Sequence, residues 1–330
     1  MTSREIVRRT LVFERPERVA RSFHNSDFVS AGHEAGTYST DWDQVDSHRW
    51  ERTDEWGNTW GRIDPTSKGE VVRGVLDDLD TLGQYRFPDF SNPADYEGLR
   101  IDRNNNPNHW LIGSMPGFAF NIARKMRKLE QYLMDLVLEH EQMARLHDRI
   151  DALLEDMIIN YASAGVDAVM FPEDWGTQNG MLINPDLWHD EFYPRFKRLC
   201  EVAHTQDVQV FMHSCGKIEA IVPGLIEAGI NLLQFDQPNL HGIDTLAAYQ
   251  EDNDITFWSP VDIQTTLQLK DREAIEAKTD EMLEKLWTGQ GGFIAGYYSD
   301  NGSIGPDPEW QEIACRRFVE RGVPDLFQEA

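Results

Sequence analysis

From residue 166 onward the chain alternates short apolar runs with longer amphipathic segments, the pattern of successive strand–helix units. Five apolar runs fit buried strands, at 166–171, 208–212, 231–235, 255–258 and 292–295. Helical patterns follow them at 185–205, 217–228, 243–249, 272–287 and 308–320. Asn184 stands where the first helix begins, and Gly229 and Gly289 stand where two others stop. An Asn side chain caps free N–H groups at a helix start, and glycine accepts the left-handed turn at a helix end. Upstream, 110–113 reads as a sixth strand, followed by a helical region at 120–162 with a break near His140. Residues 18–23 make a weaker seventh strand.

Parallel strands joined by helical crossovers close into a barrel or form an open doubly wound sheet. No Gly-x-Gly-x-x-Gly loop follows any of these strands, and polar groups follow nearly every strand rather than one switch point. The expectation is therefore an α/β chain, a TIM (β/α)8 barrel with residues 1–330 as one domain. Residues 35–106 depart from the pattern: Trp42, Trp50, Trp56 and Trp60 stand among Asp, Gly, Asn and Pro with no clear period. This stretch is expected to be an extended N-terminal insertion over one mouth of the barrel.

Charge and cysteine content remove several classes of function. The 330 residues carry 57 acidic against 31 basic side chains, a formal net charge of -26, which opposes binding to nucleic acid or to an anionic membrane. Three widely spaced cysteines, Cys200, Cys215 and Cys315, make a disulfide framework improbable and fit a reducing cytoplasm. No signal-peptide core and no long apolar span is seen, so neither export nor membrane crossing is expected.

In a barrel of this class the reactive groups gather at the C-terminal ends of the strands. There the chain places Glu173-Asp174-Trp175-Gly176, His213-Ser214-Cys215-Gly216, Asp236-Gln237, Ser259-Pro260-Val261-Asp262 and Gly296-Tyr297-Tyr298-Ser299-Asp300. His213 and Cys215 lie two apart on extended backbone, on one face, so imidazole and thiol can meet on one ion as half of a zinc site. A third ligand must come from another strand end. Glu173 or Asp174 can supply it, only one of the adjacent pair facing the barrel axis, with Asp236 in reserve. A Tyr297 phenol can hydrogen-bond a substrate or line an apolar wall. Plainer uses stand beside these: a cysteine as a small hydrophobe, carboxylates as helix caps, Asp262 as a turn residue after Pro260.

These segments, together with Thr2-Ser3-Arg4-Glu5, Phe13-Glu14-Arg15-Pro16-Glu17-Arg18-Val19, Gly165-Val166-Asp167-Ala168, Ile226-Glu227-Ala228-Gly229-Ile230-Asn231 and Gly291-Gly292-Phe293-Ile294, resemble the uroporphyrinogen decarboxylase superfamily over nearly the whole chain. That superfamily includes the tetrapyrrole decarboxylase and zinc-containing corrinoid methyltransferases. The resemblance implies a TIM barrel. In the methyltransferase branch the His-x-Cys pair binds zinc with a later cysteine near the last strand; here that region reads Ile294-Ala295-Gly296-Tyr297, which shifts the third ligand to a carboxylate such as Glu173. The decarboxylase branch holds its polycarboxylate substrate with an arginine-rich motif after the first strand, where this chain has Ser22-Phe23-His24-Asn25-Ser26-Asp27.

The resemblance implies a cytoplasmic zinc-dependent methyltransferase that works between a small methylated compound, such as an aromatic ether, and a corrinoid on a partner protein. His213, Cys215 and Glu173 would hold the ion, with Glu173, Asp174, Asp236 and Tyr297 as catalytic candidates. Two alternatives stand beside it: decarboxylation of a porphyrinogen or other small carboxylate, with Asp174 or Asp236 on the pyrrole N–H groups, and a non-catalytic ligand-binding barrel.

Overall fold

The computed structural model describes residues 1–34 and 41–327. Helix α1 (Ser3–Leu11) precedes two short strands, β1 (Ala20–Arg21) and β2 (Phe28–Ala31). An excursion follows that contains β3 (Asp43–Asp46), β4 (Arg49–Thr53), β5 (Thr59–Arg62) and β6 (Glu70–Arg73). The chain then runs through α2 (Glu97–Asn105), β7 (Trp110–Ser114), α3 (Ala119–Met126), α4 (Leu129–Leu138), α5 (His140–Ala164) and β8 (Ala168–Pro172). Helices α6 (Pro185–Glu191) and α7 (Tyr193–His204) lead to β9 (Gln209–His213), and α8 (Val222–Ala228) leads to β10 (Leu232–Gln234). The last units are α9 (Ile243–Glu251), β11 (Thr256–Ser259), α10 (Arg272–Met282), β12 (Phe293–Ala295), α11 (Asn301–Ile304) and α12 (Pro308–Arg321).

Eight strands pair in parallel in the order β1-β12-β11-β10-β9-β8-β7-β2, a nearly closed TIM barrel. At the seam the Asp27 N–H donates to the Arg21 carbonyl (3.0 Å), while Arg18 grips the buried Asp27 carboxylate at 2.6 Å. Strand parity explains the core. Phe211, Leu232 and Ile294 point inward with Trp110, Ile112 and Ala168, and Ile6, Val7 and Leu11 of α1 join this cluster and plug the lower end. The intervening residues, such as Val169, Phe171, Val210 and Met212, pack outward against the helices in a larger shell.

Several expectations are refined here. The six main strands and the Gly229 and Asn184 helix boundaries stand, with Gly229 left-handed (φ 108°) and the Asn184 side chain accepting from Asp186 N–H. The 185–205 helix is two helices, because Pro194 in the first turn of α7 lacks the N–H that would continue α6. The break near His140 is present between α4 and α5.

Residues 35–40 of the expected insertion lie outside the described residues. The remainder is more ordered than the sequence pattern implied: β3 to β6 form a four-stranded antiparallel sheet. Its C-terminal part is not insertion at all, since α2 is the crossover between β2 and β7. The sheet reaches across the C-terminal mouth. On one side Lys68 lies 3.5 Å from Asp300 and 3.4 Å from the Tyr298 hydroxyl, beyond β12; on the other, Trp60 faces Lys125 of α3, after β7. Among the described residues no helix is long and apolar enough to cross a membrane.

Candidate metal centre at the barrel mouth

The inward parity of β8 (Ala168, Met170, Pro172) carries on to Asp174, and that of β9 (Phe211, His213) carries on to Cys215. The ligand atoms of Asp174, His213 and Cys215 accordingly converge within 4.8 Å of one another. His213 Nε2 lies 3.3 Å from the Cys215 sulfur and 3.7 Å from Asp174 Oδ1. Zinc bonds of about 2.0–2.3 Å in a tetrahedron separate neighbouring ligand atoms by about 3.3–3.8 Å. The two spacings from His213 fall in that range, the three atoms lie within 4.8 Å of one another, and the mixed sulfur, nitrogen and oxygen donor set suits zinc.

The two loops that carry these residues are zipped together by backbone. Gly176 N–H donates to Cys215 C=O (3.3 Å), Lys217 N–H to Thr177 C=O (2.8 Å), and Cys215 N–H to Asp174 Oδ1 (3.0 Å). Gly216 adopts φ 77°, and a Cβ there would press into the Gly176 carbonyl and come within 2.7 Å of Thr177 N, so the contact requires glycine. The Gly that closes the His-Ser-Cys-Gly motif thus lets Asp174 approach His213 and Cys215.

Each donor is oriented by a neighbour. The Gln234 amide nitrogen donates to Asp236 Oδ1 at 2.8 Å, which leaves its carbonyl oxygen facing His213 Nδ1 in a short hydrogen bond. Nδ1 must then carry the proton, and the Nε2 lone pair is aimed at the cluster. Arg124 holds Asp174 through its side chain (3.1 Å) and main-chain carbonyl (3.3 Å), and is itself fixed by Asn121 Oδ1 (2.7 Å). Burial would raise the Asp174 pKa, but His213, the Cys215 N–H and Arg124 together outweigh it and hold the carboxyl below its usual value. Burial, joined by the charges of Asp174 and Asp236, pushes the Cys215 thiol up to about 12. A divalent cation bound beside it would supply the positive charge that favours the thiolate.

Glu173, the expected third ligand, is corrected by the same parity: it points outward from the barrel and is fully buried. Its carboxylate accepts from the N–H groups of Phe118 and Asn121, the latter at 3.1 Å, and so caps the start of α3. Burial pushes its pKa up to about 8 against the pull of those N–H donors and of Arg124 and Lys125. Asp236 stands behind Gln234 rather than on the cluster. The Tyr297 hydroxyl accepts from Asn301 Nδ2 (3.0 Å), within the loop after β12. Asp262 is a turn residue, its carboxylate bonded to the N–H groups of Gln264 and Thr265. Gln234 and Arg124 were missed. Gln234 had a signal, a polar residue on the inward parity of an otherwise apolar strand.

A profile of the uroporphyrinogen decarboxylase (URO-D) family matches residues 68–297, which take in β6 and the barrel from α2 to β12. The chain belongs to the uroporphyrinogen decarboxylase family. No curated protein sequence matches it. Among known structures, a methyltransferase from Methanosarcina mazei shares the fold at 16% identity and a TM-score of 0.60, over 81% of this chain and 76% of the other. A B12-independent methionine synthase from Shewanella sp. W3-18-1 aligns over 83% and 75% of the two chains, at 11% identity and a TM-score of 0.49. Within the uroporphyrinogen decarboxylase fold, the Asp174, His213 and Cys215 cluster sits at the mouth where the barrel architecture puts its chemistry.

Proposed function

We propose that the protein is a zinc-dependent methyltransferase of the uroporphyrinogen decarboxylase family, moving a methyl group between a small methylated compound and a corrinoid carried on a partner protein. One observation carries the reading: a carboxylate, an imidazole and a thiol meet within 4.8 Å at the C-terminal mouth. Asp174, His213 and Cys215 would hold the ion. Zinc at this place supplies Lewis-acid activation of the heteroatom that carries or receives the methyl.

The chain's own residues prepare that chemistry. Gln234, backed by Asp236, keeps the His213 Nε2 lone pair toward the cluster, and Arg124 keeps Asp174 ionised and aimed at it. The three cysteines are free thiols, in keeping with a reducing cytoplasm, and the acidic surface with an absence of nucleic-acid binding.

Decarboxylation of a porphyrinogen is the reading that family membership also admits. Against it, residues 22–27 read Ser-Phe-His-Asn-Ser-Asp, with no arginine to hold a polycarboxylate substrate.

The test is metal content by plasma mass spectrometry after purification without chelators. One zinc per chain is expected, lost in His213→Ala and Cys215→Ser. Wild-type protein that takes up no zinc on incubation with it overturns the reading, and formation of coproporphyrinogen from uroporphyrinogen transfers it to the decarboxylase.

A further inference from the structure

Between the antiparallel sheet and the helices after β7 lies a cavity of about 240 Å³, just below the usual range for drug-sized ligands. Trp60 and Val71 of the sheet line one side, and Arg124, Lys125, Lys128 and Leu129 line the other. Arg124 is shared with the metal centre, where it holds Asp174, so the cavity and the Asp174, His213 and Cys215 cluster adjoin through one side chain.

The three cations are not equivalent. Arg124 is bonded to Asp174 and Asn121, and Lys128 lies 4.0 Å from Glu130, one of the acids at the cavity's edge. Lys125, half-buried, has neither an ion-pair nor a hydrogen-bond partner among the described residues; its ammonium rests 5.7 Å from the Trp60 ring. Burial and the neighbouring Arg124 lower its pKa, with Glu173, Asp54 and Asp174 pulling the other way. The ammonium opens on the cavity, and an anion brought in would gain a charge-assisted hydrogen bond from it. Trp60 offers such an anion a flat apolar neighbour, its own N–H committed to Asp54 at 2.7 Å. Glu70 and Glu130 also line the cavity, Glu130 facing Lys128, and Arg124 is paired with Asp174, which leaves Lys125 as the cation there that an incoming anion can pair with.

We propose that this cavity seats the methyl-carrying or methyl-accepting substrate, and that the substrate is a small organic anion with a flat apolar body, of the aromatic carboxylate class. The carboxylate pairs with the Lys125 ammonium and the ring lies along Trp60, which leaves the far end of the molecule toward Arg124 and the metal ligands. The assignment rests on the methyltransferase reading of the adjoining cluster.

The experiment titrates full-length, zinc-loaded protein with benzoate and with its neutral isostere benzamide by calorimetry, reading zinc content in the same samples. Benzoate should bind at least tenfold more tightly than benzamide. Lys125→Met should weaken benzoate at least tenfold while zinc stays at the wild-type level, and Trp60→Leu should weaken both probes. Equal affinity of the two probes for the wild type, or binding of neither, overturns the proposal without any variant, so a misfolded Lys125→Met does not shelter it. Unchanged benzoate affinity in folded Lys125→Met overturns it as well. Failure of the two readings is separable: discrimination lost with zinc at one per chain removes the anion site alone, whereas intact discrimination in protein that takes up no zinc supports the anion site and removes the metal centre.

Discussion

Gln234→Met isolates what the residue behind His213, the proposed metal ligand, contributes. The substitution keeps length and flexibility but removes the acceptor for His213 Nδ1 and the donor to Asp236. In the native site that acceptor fixes the tautomer, so that the lone pair on Nε2 stands 3.3 Å from the sulfur and 3.7 Å from Asp174. Without it the ring is free to turn and to place its proton on Nε2, the wrong nitrogen. Loss of such an outer partner weakens metal binding by about 10–100-fold, which is about 1.4–2.8 kcal/mol. Competition with a chromophoric chelator measures the zinc Kd directly, with thermal denaturation as a control for folding. Asp236→Ala, one bond further out, should lose less than Gln234→Met, and His213→Ala should lose more than either. A Gln234→Met protein that folds normally and binds zinc within twofold of the wild type would refute the orienting role.

Other consequences test separate parts of the account. Glu173→Ala leaves the Phe118 and Asn121 N–H groups unpaired in a buried place and should destabilise the protein by about 1–3 kcal/mol in urea denaturation, with zinc content unchanged; a loss of zinc in the folded variant would return Glu173 to the metal. Gly216→Ala should separate the two ligand loops and weaken zinc binding markedly more than Gly302→Ala, where the nearest neighbour of an added Cβ is 3.8 Å away; equal zinc affinities would show that the close approach is dispensable. His241, buried against Phe235, has its pKa lowered to about 4 by burial. Its folded pKa lies below the unfolded value, so the stability it contributes is present above about pH 6.5 and is lost as pH falls toward 4, about 3 kcal/mol in all. Denaturation midpoints measured across that window should fall less steeply in His241→Gln than in the wild type.

What the sequence conveyed and what it withheld follow from the range of each interaction. His213 and Cys215 were legible because two residues on one strand share a face whatever else the chain does. Asp174 could have been chosen over Glu173 from the same alternation, counted forward from the buried outward residues Val169 and Phe171. The resemblance to zinc sites elsewhere in the family instead favoured Glu173, whose real partner is the start of a helix 52 to 55 residues earlier in the chain. Strand β2 was invisible because its four residues, Phe-Val-Ser-Ala, follow β1 with no helix between, and it owes its place to pairing with β7. Helix α2 was absorbed into the insertion because it buries only Leu99 and shows little apolar stripe. The role of Arg124 depends on how α3 lies against the β8 loop, a tertiary contact that no local pattern encodes.

Zinc K-edge X-ray absorption on the zinc-loaded protein tests the central claim most directly. The account predicts a single sulfur at about 2.3 Å with nitrogen and oxygen scatterers at about 2.0–2.2 Å, the sulfur shell disappearing in Cys215→Ser and the imidazole signature in His213→Ala. A spectrum with no sulfur shell, or one unaltered by Cys215→Ser, would contradict it.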